Sequence, residues 1–135
     1  MNWKAYFERS QGAGFLATAG RGGEVNLAVY SRPRVLTDGT LAFGMADRLT
    51  YANLQENPLA VYAFQQKGFR GVRLYLEKVR EDDHGPVLEE IRARADDIVG
   101  PGTGDSVTHL VCFRVVKALN LVGDGTPAEE PPAAV

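Results

Sequence analysis

The chain has 135 residues and a net charge of -2, with 44% hydrophobic and 24% charged residues. That size fits one domain able to bury a core without disulfides or metal, and the weak acidic balance gives no electrostatic reason to expect nucleic acid. Two histidines and a single cysteine leave little material for a metal site, and Cys112 has no partner for an internal disulfide, in keeping with a reducing cytosol.

The N-terminus does not read as a signal peptide, because Lys4, Glu8 and Arg9 interrupt its apolar residues. No apolar run approaches the roughly 20 residues of a membrane span, so a cytoplasmic protein without a membrane partner is expected. Trp3, Tyr6 and Phe7 share helical spacing, which predicts a short amphipathic helix over 2–11 that Gly12 and Gly14 end. Residues 15–19 read as a short strand, and Gly20-Arg21-Gly22-Gly23 as a hairpin turn. A second, longer strand covers 24–37, with Pro33 marking an edge or a bulge because it cannot donate to a ladder. Asp38-Gly39 is a turn signal. A third strand over 40–46 then leads into a helix at 48–57, which Pro58 helps to stop.

Residues 59–64 form a fourth strand and 71–79 a fifth. Leu88, Ile91, Ala95 and Ile98 predict a helix over about 85–99, broken by the Gly100–Gly104 run. A final strand spans 109–116, and the Pro-, Ala- and Glu-rich residues 124–135 read as a disordered tail, leaving one domain over 1–123. Hairpin-linked strands with few helices predict a mainly β (α+β) protein, an antiparallel β-barrel or sandwich of six strands with flanking helices. The fourth strand and much of the second are apolar at consecutive positions, where a strand with one wet face should alternate. A second copy of the chain is the economical cover, so a homodimer with a strand-built interface is expected.

Residues 40–57, TLAFGMADRLTYANLQEN, carry the chemistry. An apolar strand runs into a helix start with Asp47 as its N-cap and Arg48 and Thr50 in its first turn. A helix N-terminus holds unpaired N–H donors and about half a positive charge, so it suits a phosphate. Arg48 either binds such an anion or is a solvated first-turn residue. Arg32 and Arg34, flanking Pro33, are either a basic wall for an anionic ligand or edge-strand charges that block aggregation. Tyr30, Tyr51, Tyr62, Phe64 and Phe69 either stack on an aromatic ring or, the more usual role in such strands, belong to the core. His84 is expected to be exposed, His109 to lack a carboxylate partner, and Cys112 to be a buried small hydrophobe. No nucleophile–base pair, zinc spacing, Walker loop or GxGxxG fingerprint is present, so no catalytic side chain or metal ligand is assigned.

The series GFLATAGRGGEVNLAVYSRPRVLTDGTLAFGMADRLTYANLQENPLAVYAF, followed by GFRGVRLYLEKV, resembles the pyridoxamine 5′-phosphate oxidase-like proteins of the FMN-binding split-barrel superfamily. The likeness covers roughly residues 12–80 and rests on the order of the pieces, not on one motif. It implies a six-stranded antiparallel split β-barrel, a homodimer, and FMN in a cleft at the subunit interface. It further implies that Val29, Tyr30, Ser31 and Arg32 line the ring and ribityl chain, and that Ala46, Asp47, Arg48, Leu49 and Thr50 form the phosphate turn. Arg70 and Gly71 match a position that touches the cofactor in many relatives. Many relatives carry a Ser-Arg-Lys-like run where this chain has Arg48, Leu49 and Thr50, and Asp47 adds a negative charge there; Arg32 is the candidate to supply the missing cation.

The function this implies is a small flavin oxidoreductase, passing hydride or electrons through FMN to a small-molecule substrate or redox partner. The alternatives are a non-enzymatic flavin or haem carrier or sensor, and a cofactor-free dimeric module. Vitamin B6 oxidation is the lesser reading, because the chain ends in GDGTPAEEPPAAV where those oxidases carry a substrate-binding Arg and His.

Overall fold

The computed structural model describes residues 1–128; the part of the expected tail from residue 129 to 135 lies outside them. The elements in chain order are α1 (Trp3–Arg9), β1 (Ala13–Ala19), β2 (Val25–Val29), β3 (Arg34–Val35), β4 (Leu41–Met45), α2 (Leu49–Glu56), β5 (Leu59–Gln65), β6 (Gly71–Asp82), α3 (Pro86–Ile98) and β7 (His109–Asn120), with a 3-10 turn at Thr103–Ser106 before β7. The strands form one antiparallel sheet in the order β2-β1-β5-β6-β7-β4-β3. Its edge strands are consecutive in sequence. A flat sheet of seven strands would set its edges roughly 29 Å apart, yet the link from Val29 to Arg34 can span at most about 18 Å. The sheet therefore curls into a nearly closed, split barrel.

The sheet has seven strands where the sequence reading expects six. The difference lies in the segment 24–37, which is two strands joined by Tyr30–Pro33. Tyr30 N still donates to Gly14 O at 3.0 Å, so the chain leaves the β1 ladder only after this residue. Pro33 is buried and cannot donate, which suits a link and not a ladder. The strands β6 and β7, 12 residues each, outrun their expected ends because they pair with each other from Val72 opposite Asn120 to Asp82 opposite Leu110, through register shifts between Tyr75 and Leu76 and between Lys78 and Arg80.

The barrel interior is filled by Leu16, Leu41, Phe43, Tyr62, Phe64, Leu74, Val111 and Phe113. Helix α1 closes one end: Phe7 meets Phe64 edge-on at 5.5 Å, and Tyr6 meets Phe7 at 5.2 Å. A second cluster lies outside the barrel, where Leu88 of α3 packs on Ala42, Leu110 and Cys112. Thus β4 is covered on both faces by this chain alone, and Cys112 is buried as expected. The strand β5 does alternate, with Ala60, Tyr62 and Phe64 inside. The outer side chains of β2 are open: Val25, Leu27 and Val29 are 83%, 66% and 75% exposed.

Candidate functional site

The register of β4 with β7 sets Met45 opposite His109 and delivers the chain into the turn Ala46–Arg48. Helix α2 begins at Leu49 with Arg48, not Asp47, at its N-cap, and no side chain caps it. The expected Asp47 cap is corrected by a competing partner. Asp47 Oδ1 lies 2.5 Å from Nε2 of His109, so its carboxylate faces away from the helix mouth. The first-turn N–H groups of α2 are left for an anion or for water.

Behind this turn the hydroxyl of Thr50 is buried and accepts from Asn26 Nδ2 at 3.2 Å. Tyr30 adds its phenol from the β2–β3 link. Burial raises its pKa, while a hydrogen bond with Thr50 and the Arg48 charge pull the other way. Tyr30 is held in place from behind, since Tyr62 Oη donates to Tyr30 O at 2.9 Å.

Val29 and Tyr30 face Ala46, Arg48, Leu49 and Thr50 across one open cleft of about 690 Å³. Its far wall is Val99, Thr103, Ser106 and Val107, residues that sequence reasoning did not select. Their only local signal is the glycine-rich break after α3, which says that the chain turns but not toward what. Gly44 of β4 allows that wall to approach: a Cβ there would lie 2.6 Å from Ile91 and 2.7 Å from Val107. Apolar side chains on two walls and a basic, hydroxyl-bearing end can take a flat ring system with a phosphate tail.

The other selected residues fall elsewhere. Ser31 and Arg32 line an adjoining trough, not the Arg48 cleft. Nη1 of Arg32 donates to Phe7 O at 2.9 Å and to Ser10 O at 2.6 Å, which ties the β2–β3 link to α1. Arg70 and Gly71 line a different cleft with Tyr6 and Phe69. Phe69 is exposed where core was expected, and His84 is exposed beside Asp83.

His109 corrects the expectation that it lacks a carboxylate partner. Its ring also stacks on Tyr51 of α2 at 3.8 Å and 6°. Tyr51 Oη donates to Glu81 at 2.5 Å, and Gln55 and Lys78 donate to the same carboxylate. The Glu81 bond, with burial, pushes the Tyr51 pKa up to about 12. Burial alone would raise Glu81, but its three donors hold it down to about 2.

No family model matches the chain, and no curated protein does. Among solved structures, an FMN-binding protein from Syntrophomonas wolfei is similar at 25% identity and a TM-score of 0.73, over 89% of this chain and 84% of that one. HupZ of Group A Streptococcus is similar at 18% identity and a TM-score of 0.70, over 93% and 96%. An F420 reductase is similar at 15% identity and a TM-score of 0.65, over 87% and 96%. The chain has the fold of the FMN-binding split-barrel, pyridoxamine 5′-phosphate oxidase-like proteins.

Proposed function

We propose that the protein is a homodimeric FMN-binding oxidoreductase, with the flavin phosphate at the mouth of α2. The observation that carries this reading is the uncapped start of α2, with Arg48 beside it, Thr50 behind it and Asp47 turned onto His109. The residues present fit the group: N–H donors, one guanidinium and two hydroxyls meet at one end of an apolar cleft. The likeness to the Syntrophomonas wolfei protein supports FMN in particular.

Arg48 and the first turn of α2 hold the phosphate, and Val29 and Tyr30 form the wall for the ring. Bound FMN supplies hydride or electron transfer to a small-molecule substrate or redox partner. The exposed outer face of β2, beside Ala17 of β1 and Val61 of β5, is the surface a second copy covers. Because Val29 belongs both to that face and to the cleft, the dimer seam would run along the cofactor.

The test is the colour of the purified protein and its turnover with NADH or NADPH and an artificial acceptor. A yellow protein that releases FMN on denaturation and oxidises the reductant is expected. Stable colour without turnover favours the carrier reading, and protein that stays colourless with added FMN removes the proposal.

A further inference from the structure

The cleft does not end at Tyr30. It continues under α3 as a trough of about 340 Å³, which shares Val29, Tyr30 and Val99 with it. The trough runs on into a pocket of about 320 Å³ whose walls carry Lys4, Arg32, Arg34 and Arg94. Arg32, Arg34 and Arg94 belong to both. The middle of this channel is apolar, with Phe43, Ile91 and Ile98 along it.

The charges at its end come from three separate elements: Lys4 from α1, Arg32 and Arg34 from around Pro33, and Arg94 from α3. Two carboxylates stand against them. Glu8 lines the pocket, and Glu90 pairs with Arg34. Arg32 spends Nη1 on two backbone carbonyls, which fix the guanidinium without cancelling its charge. Among the described residues, no carboxylate pairs with Lys4 or Arg94. Four cations converging on one concavity repel one another, and an oxyanion relieves that repulsion while matching the planar guanidinium fork.

We propose that this basic end is a binding site for the phosphate or carboxylate group of a second small organic anion, whose apolar part lies along the trough toward the cleft. Assigning that molecule as the flavin's reaction partner rests on the function proposed above; the anion site itself does not. Two unpaired side chains make the test clean, because neither Lys4 nor Arg94 holds the fold together.

The experiment titrates inorganic pyrophosphate, and in parallel malonate, into isotope-labelled protein with and without FMN, following backbone amide shifts. Shifts centred on Lys4, Arg32–Arg34 and Arg94 are expected. Lys4→Gln and Arg94→Gln should each weaken the better anion by about tenfold, the scale of one charged hydrogen bond, with FMN affinity unchanged. The tighter of the two probes names the anionic group. A protein that ignores FMN but keeps this response retains the site and loses only the flavin reading. Anion affinity indifferent to both substitutions, shifts confined to the start of α2, or simple displacement of FMN overturns the proposal.

Discussion

His109 and Tyr51 lie face to face, 3.8 Å apart and 6° from parallel, with Asp47 bound to the far nitrogen of the imidazole. The pair joins β7 to the first turn of α2 and fixes where the Asp47 charge sits. Asp47→Asn should therefore tighten FMN by only about 0.5 kcal/mol, since the carboxylate is turned away and 76% exposed. His109→Ala should weaken FMN by a similar amount or more, because it frees Asp47 to cap α2. Fluorescence titration of both variants and the double variant checks this. Asp47→Asn should erase the loss caused by His109→Ala.

Arg48→Ala should weaken FMN by about 1.5–3 kcal/mol, the range for a hydrogen bond to a charged group. Riboflavin, which lacks the phosphate, should bind wild type and variant alike. Equal losses for both ligands would place the phosphate away from α2.

Glu81 gives the acid limb of stability a definite sign. Its folded pKa, about 2, lies below the ordinary 4.5. Its contribution is thus complete above pH 4.5 and lost as the pH falls toward 2. Tyr51 works at the other end. Its pKa is raised to about 12, so its contribution is complete below pH 10 and lost between 10 and 12. Denaturant melts of Glu81→Gln across pH 2–6 should show a flatter acid limb than wild type, and Tyr51→Phe should flatten the alkaline one.

Leu27→Asp should split the proposed dimer without unfolding the chain. Leu27 is 66% exposed on the outer face of β2, so a charge there costs the single chain little but would be buried between two copies. Sedimentation velocity should give a dimer for wild type and a monomer for the variant at the same concentration.

Gly14→Ala should cost about 1–3 kcal/mol, as overpacking of a filled core does. A Cβ at Gly14 would fall 1.9 Å from Tyr62 Oη and 2.4 Å from Tyr30 O, the two ends of the bond that steadies the cleft wall. Urea unfolding measures the loss, and FMN affinity should fall with it.

Most strands were legible because their signals are local. Turn glycines and the Asp38-Gly39 pair bound them, and α3 shows its apolar stripe at Leu88 and Ile91. The division of 24–37 was not legible, because Pro33 fits an edge, a bulge or a link equally well until Tyr30 is seen bonding to Gly14. The strand-to-helix turn that carries Arg48 and Thr50 was legible from the apolar run 41–45 and the polar residues after it. The Asp47–His109 bond was not, because the two residues are 62 apart in sequence and meet only through the β4–β7 register. The convergence of Lys4 and Arg94 on Arg32 was hidden for the same reason.

Helix α1 is more than a stopper for the barrel. The carbonyls of Phe7 and Ser10 grip the same arginine that stands at the junction of trough and basic pocket. Clipping the chain after residue 10 would wet the aromatic interior and, in the same stroke, unmoor a guanidinium from the channel wall, so the integrity of the extreme N-terminus and the reception of a small charged guest are mechanically one property.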